Sequence, residues 1–152
     1  MGWFRKELYL DQLARETFGN QVVSLGCGTY TGTVAAADEW NGDMKITKFF
    51  PGLPDSYEFL AHRTGIKSFF LDLREEKCDE KLRQGLMKKR LKRLIGVIYR
   101  PDTKRQSHHC HTILPNQFDS YIWFDETKAV RALEVIQPKT PLESDETYPF
   151  AM

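Results

Sequence analysis

The order of apolar and polar positions along the 152-residue chain predicts short strands that alternate with helices. Apolar residues at 4, 8, 13, 14 and 18 recur at helical spacing, and Gly19 follows them as a helix-ending glycine often does. Short apolar runs of the kind that form strands occupy 21–26, 44–50, 67–73, 93–100 and 118–124. The run RLIGVIYR at 93–100 is apolar throughout its middle, which is typical of a strand covered on both faces.

The segments between these runs predict the loops and the remaining helices. The glycine-rich GCGTYTG (26–32) predicts a loop, and the alanines of TVAAADEW (33–40) favour a helical turn after it. Two further helices are predicted: SYEFLAHRT, opened by a capping box of Asp55 and Glu58, and KAVRALEV, capped by Thr127. The charged stretch 75–93 predicts an exposed helix or a mobile connection.

Strands that alternate with helices predict an α/β fold with a largely parallel sheet and flanking helices. A chain of 152 residues fits one domain with a sizeable core. We predict that this domain covers residues 1–136. Residues 137–152 contain three prolines and several acidic residues without any period, so they are predicted to be a loosely ordered tail.

Charge and composition exclude several classes of protein. The chain has 22 basic and 21 acidic residues, so its net charge of +1 provides no strong field to attract nucleic acid or an anionic membrane, and neither is an expected partner. Its apolar runs are far shorter than the ~20 residues that span a bilayer. Three cysteines without framework spacing and a first segment without an apolar signal core predict a cytoplasmic location.

Three glycines raise the possibility of a nucleotide site. Gly26, Gly28 and Gly32 form G-x-G-x-x-x-G after a predicted strand and before a predicted helix, where a phosphate-binding loop would lie. The spacing is one residue longer than the usual dinucleotide fingerprint. The next predicted strand ends in Phe49 and Phe50 rather than in the acidic residue that would bind a ribose. A non-catalytic module that binds a nucleotide or a partner protein is therefore the alternative function.

The run SHHCH at 107–111 resembles a metal site in composition but not in geometry. On an extended backbone His108 and Cys110 face one way, whereas His109 and His111 face the other, so they cannot all reach one ion. A structural zinc site takes ligands from separated short spacings, and the chain has no second cluster of cysteine or histidine. We therefore expect no metal.

Four blocks, taken in order, resemble the C-terminal part of the erythromycin esterase family: GTYTGTVAAADEW, FFLDLR, RLIGVIYRPDTKRQSH and LPNQFDSYIWFDETKAV. The resemblance covers roughly residues 4–135. It implies an α/β fold that is part of a larger esterase-like fold. It also implies hydrolysis of carboxylic esters by a histidine-activated water, without a cofactor. The characterised members open macrolide lactones, so the resemblance extends to antibiotic resistance.

The resemblance also implies which residues contact the substrate. Six residues are predicted to line or support the pocket: Tyr30, Thr31, Thr33, Arg100, Arg105 and His108. The family pattern around the last two resembles R-x-S-H-Y-F-x-A-x-L-P-x-Q-F-D. His109 and Cys110 stand here in place of its aromatic pair, so the resemblance implies that the His/Cys run is accidental. Lys104 stands where the family usually has glutamate.

The chain departs from the family in length. Family members are longer, and a Gly-Glu-x-x-His-Gly motif and a Trp-x-His-Asn-x-His motif supply the groups thought to activate water. Neither motif occurs in this sequence. We therefore expect a C-terminal portion that lacks the catalytic base, and we assign no catalytic residue. The expected partners are a small-molecule ester, together with the N-terminal half or a second copy of the chain.

Overall fold

The computed structural model describes residues 10–100 and 108–131. Its helices are α1 (Leu10–Phe18), α2 (Tyr57–His62), α3 (Glu80–Leu86) and α4 (Leu114–Gln117), with one 3₁₀ turn at Gly19–Gln21. Its strands are β1 (Leu25–Ala36), β2 (Lys45–Phe49), β3 (Ser68–Asp72), β4 (Arg90–Arg93), β5 (His109–Thr112) and β6 (Ser120–Thr127). Within the described residues, no helix is long and apolar enough to cross a membrane.

The main sheet has four strands in the order β2-β1-β6-β3, and β4 pairs with β5 in a separate ribbon. The predicted α/β class is confirmed, but the prediction of a largely parallel sheet is wrong. Among the described strands of this sheet, only β1 and β6 run parallel, whereas the pairs β1–β2 and β3–β6 are antiparallel. The eight residues 37–44 between β1 and β2 contain no helix. A parallel pair needs a longer crossover, so this connection returns the chain alongside β1 in the opposite direction.

The predicted glycine loop and the first four residues of the helix predicted at 33–40 are part of β1. Residues 25–32 pair with β6 and residues 32–36 pair with β2, and this pairing overrides the helical preference of the alanines. Residues 37–40 are not helical either. The glycines make room for neighbouring groups. A Cβ on Gly28 would lie 1.9 Å from the Tyr121 hydroxyl oxygen. At Gly32, where φ is +143°, a Cβ would lie 2.0 Å from the Thr127 carbonyl oxygen.

Three helices cover one face of the sheet. Trp123 of β6 is 0% exposed and packs with Tyr57 of α2, Leu86 of α3 and Leu114 of α4 in the main core. A smaller cluster joins Ala36, Phe49 and Tyr99. Helix α2 begins where predicted, but its cap is Ser56, whose Oγ accepts the Phe59 N–H at 3.1 Å, rather than Asp55. Serine here supplies the side-chain acceptor that the first turn of a helix requires.

The strand predicted at 93–100 and the helix cap predicted at Thr127 are wrong. In the run 93–100 only Arg93 belongs to a strand, and Ile98 makes an isolated bridge to Ala37. Within this run Tyr99 belongs to the smaller cluster and Ile95 packs against it, whereas Leu94 and Val97 are exposed. Thr127 ends β6 and does not cap a helix, and residues 128–131 are not helical. The rest of the predicted helix, the domain boundary at 136 and the tail at 137–152 lie outside the described residues.

Candidate functional site

Three of the predicted pocket residues lie on β1 but do not share a face. Tyr30 points toward α2, where its ring stacks on His62 with 3.7 Å between centroids and 6° between planes. Neighbouring residues of a strand alternate in direction, so Thr31 and Thr33 project to the opposite side. The Thr33 Oγ1 accepts the Ala129 N–H at 2.9 Å, which holds the chain after β6. The structure thus separates Tyr30 from the two threonines.

Of the other predicted pocket residues, Arg100 and His108 lie close together. The Arg100 N–H donates to the His108 Nε2 at 3.1 Å, and the Arg100 Nε donates to the Asp38 carbonyl at 2.6 Å. His108 is buried, and its ring lies 4.9 Å from that of Tyr99. Because Nε2 accepts a backbone hydrogen bond, it cannot take a proton from a substrate or water without losing that bond. This geometry gives His108 a supporting position. Arg105 lies outside the described residues.

In the described part of the chain, His62 and Asp125 form a pair that resembles a general base and the carboxylate that orients it. The His62 Nδ1 lies 2.6 Å from the Asp125 Oδ1, and the Lys67 Nζ lies 3.0 Å from the Asp125 Oδ2. The hydrogen bond from His62 lowers the pKa of Asp125 and outweighs the effect of burial. The side chain of His62 is 40% exposed. A carboxylate that holds one imidazole nitrogen leaves the other for proton transfer.

Sequence reasoning missed this pair, because His62 and Asp125 are 63 positions apart and His62 appeared isolated. One signal was present in the alternation of β6. Tyr121 and Trp123 face the core, so Asp125 must project to that same face of the sheet, which α2 covers. Nothing in the sequence indicated which helix would lie against it. The stacking of Tyr30 on His62 adds one predicted pocket residue to the pair.

A cluster of buried charged groups lies next to this pair. Glu58 is 1% exposed, its Oε1 accepts the Arg93 N–H at 3.0 Å, and its Oε2 has no hydrogen-bond partner. The Arg93 guanidinium donates to the carbonyls of Thr29, Tyr30 and Phe50. Through the Tyr30 carbonyl, the cluster is joined to the strand that carries the stacked ring.

Lys92 and two tyrosines, Tyr57 and Tyr121, lie near this cluster. The Lys92 Nζ lies 5.0 Å from the centroid of the Phe118 ring, and burial lowers the pKa of Lys92. Burial also raises the pKa of Tyr121, whose hydroxyl has no hydrogen-bond partner, so Tyr121 is a neutral phenol. The Tyr57 hydroxyl contacts the Leu86 and Lys88 carbonyls at 2.8 Å and accepts the Leu114 N–H. Tyr57 is therefore structural.

Two grooves lie away from these groups. One of about 840 Å³ lies between α1 and the β5–α4 segment, and its lining includes Arg15, His111 and Asp119. The other, of about 380 Å³, lies at the start of α2 beside Arg63 and Arg90. Neither is lined by a predicted pocket residue among those described, and the described residues contain no group of three or more potential metal ligands.

Comparison with known proteins identifies the family of this chain. The family model of erythromycin esterase matches residues 1–127. The chain belongs to the erythromycin esterase family. The resemblance found in the four sequence blocks is thereby confirmed over most of the chain.

Two solved structures share the fold of this erythromycin esterase family chain. One is a protein from Bacillus cereus, with a TM-score of 0.63 and 19% identity, which the chain matches over 77% of its own length and 28% of that protein's length. The other is a succinoglycan biosynthesis protein, with a TM-score of 0.61 and 22% identity over 77% and 27% of the respective lengths. The chain therefore spans little more than a quarter of each of these proteins.

Proposed function

We propose that this protein takes part in the hydrolysis of carboxylic esters, with macrolide lactones as one class of substrate. Family membership supports the reaction class. The observation that carries the proposal at the level of atoms is the His62–Asp125 pair, in which 2.6 Å separates the imidazole Nδ1 from the carboxylate. Hydrolysis of an ester needs a group that activates water. The sequence predicts that this base lies outside the chain and assigns no catalytic residue within it. The proposal departs from that prediction, because it places the base at His62.

In the proposed reaction the His62 Nε2 takes a proton from water while the water oxygen attacks the ester carbonyl carbon. The imidazolium then returns this proton to the departing alkoxide, so that ester and water become acid and alcohol. Asp125 stabilises the positive charge on the ring, and Tyr30 holds the ring plane by stacking. Tyr30 is thus retained from the predicted pocket. His108 supports the loop near Arg100.

The alternative function, a nucleotide-binding module, loses the feature that suggested it. The glycines of the supposed phosphate loop lie within β1, and a Cβ on Gly26 would lie 2.7–2.8 Å from ring atoms of Phe118 and Tyr121. Their backbone N–H groups are part of a strand paired with β6, not of a turn that opens a helix. The other form of the alternative, in which the same glycine loop binds a partner protein, loses this feature as well.

Mass spectrometry of ester hydrolysis tests the proposal. A panel of simple carboxylic esters and macrolides is incubated with the protein purified from its own cells, and the gain of one water is followed. We expect His62→Ala to lower kcat/KM by at least ~100-fold, since a positioned general base contributes about 10²–10⁴ in rate. His111→Ala removes an exposed histidine that lies outside the pair, so it is expected to keep the rate within about twofold.

Two results would count against the proposal in different ways. If no ester in the panel gains water, hydrolysis itself is wrong. If esters are cleaved but His62→Ala and His111→Ala behave alike, the reaction class stands and the role of His62 is wrong. A loss of rate in His108→Ala but not in His62→Ala would move the base to His108.

A further inference from the structure

The two faces of the four-stranded sheet differ sharply in what covers them. On one face Tyr121 and Trp123 are buried under the helices. On the other face, the register aligns Cys27, Ile122 and Phe70 in one row across three strands, and Thr29, Phe124 and Ser68 in the next row. Phe70 is 64% exposed and Phe124 is 48% exposed. We call this second surface the open face, and its apolar residues are Leu25, Cys27, Ile46, Phe70, Ile122 and Phe124.

The middle of the open face is apolar. Three strands are aligned there, because β2 pairs with β1 only at residues 32–36, beyond the stretch that β3 flanks. Strands lie about 4.8 Å apart and rise about 3.3 Å per residue, so three strands of about five residues present roughly 240 Å² in projection. The charged residues Asp72 and Glu126 lie in the rows on either side. A contiguous apolar surface of a few hundred Å² on a soluble protein is often functional. The two aligned rows contain no charged side chain. Water is therefore left against aromatic and aliphatic groups in the middle of a sheet.

The length comparison indicates what covers this face. An antiparallel sheet can leave one face in water, but that face then carries polar side chains, whereas Phe70 and Phe124 are exposed here. The two solved structures share the fold of this chain, yet the chain accounts for only 28% and 27% of their lengths. We propose that the open face binds the remaining part of an erythromycin esterase family fold, in the same polypeptide or in a separate one. This inference depends on family membership and not on ester hydrolysis.

The thiol of Cys27 provides a direct reporter of this contact. Cys27 is an exposed free cysteine in the row with Ile122 and Phe70, whereas Cys78 is free, partly exposed and lies beyond β3, outside that row. A polypeptide packed on the open face would block alkylation of Cys27 and leave Cys78 unchanged. Cys78 therefore serves as the reference thiol in every sample.

The experiment compares the 152-residue chain made alone with the tagged protein purified from its own cells. Both are treated with iodoacetamide, and peptide mass spectrometry measures alkylation and identifies any stoichiometric polypeptide. We expect Cys27 to react at least tenfold more slowly in the protein from its own cells, together with sequence that matches the family. Phe124→Lys is expected to restore the fast reaction. Ile66→Lys, at a similarly exposed apolar position (51%) outside the sheet, is the matched control and is expected to leave Cys27 protected.

The other outcomes overturn the proposal. Equal rates of Cys27 alkylation in the two samples mean that nothing covers the face. Protection with only copies of the 152-residue chain in the sample assigns the face to self-association. Protection by a protein outside the family assigns it to another partner. Protection that Phe124→Lys and Ile66→Lys affect equally places the contact elsewhere. None of these results depends on whether esters are hydrolysed.

Discussion

At the scale of single residues, an unusual feature of the described structure is a buried carboxylate, Glu58, that lies near two buried basic residues, Lys92 and Arg93. Glu58 has a backbone hydrogen bond from Arg93 on one oxygen and none on the other, and both Lys92 and Arg93 have their pKa values lowered, first of all by burial. The negative charge of Glu58 opposes that effect on both cations. Removing one member of such a group leaves an uncompensated charge away from water.

We therefore expect Glu58→Gln to lower the free energy of unfolding by about 3 kcal/mol, because Lys92 and Arg93 lose their counter-charge. Urea denaturation measures this change. Glu75→Gln at an exposed turn position is the control and is expected to stay within about 0.5 kcal/mol of the parent. A Glu58→Gln protein as stable as the control would show that the carboxylate is not needed to balance the two cations.

Sequence reasoning found some of the candidate site residues and missed others for a physical reason. Tyr30 was predicted, and it contacts the His62–Asp125 pair. His62, Asp125 and Glu58 were not predicted, because their roles arise from contacts between α2, β6 and β4, which are far apart in the chain. The periodicity of a segment shows which side faces inward, but it does not show which other segment lies there.

At the scale of elements, the strands and helices with clear boundaries were predictable. The runs 44–50, 67–73 and 118–124 contain β2, β3 and most of β6, and the helical period before Gly19 contains α1. The errors lie at β1 and at 93–100. Glycine and alanine favour loops and helices locally. In β1, however, Gly26 and Gly28 leave space for the rings of Phe118 and Tyr121, and the alanines pair with β2.

This role of the glycines predicts opposite effects at two positions. Gly28→Ala would place a methyl group against the buried Tyr121 hydroxyl, so we expect a loss of about 1–3 kcal/mol in stability. Gly85→Ala in α3 meets nothing within 4 Å and is expected to add about 0.5–1 kcal/mol through helix propensity. Thermal unfolding of both variants measures these changes. If Gly28→Ala were as stable as Gly85→Ala, the packing of Tyr121 on β1 would be wrong.

At the scale of the whole molecule, the α/β class and the family were predictable from sequence, whereas the strand directions were not. The alternation of strands and helices suggested parallel crossovers. The connection between β1 and β2 lacks a helix, however, so the chain returns antiparallel. The result is a mixed sheet with helices on one face and an apolar open face on the other. This arrangement is the basis of both the proposed catalytic pair on the covered side and the proposed contact on the open side.

Alkylation of the cysteines in the isolated chain tests this two-sided arrangement most directly. Cys27 lies on the open face, whereas Cys110 of β5 is half-buried and burial raises the pKa of its thiol. We predict that Cys27 reacts with iodoacetamide at least tenfold faster than Cys110, since only an accessible thiolate reacts. A Cys27 that reacts as slowly as Cys110, or more slowly, would contradict the account, because the second face of the sheet would then be covered within this chain.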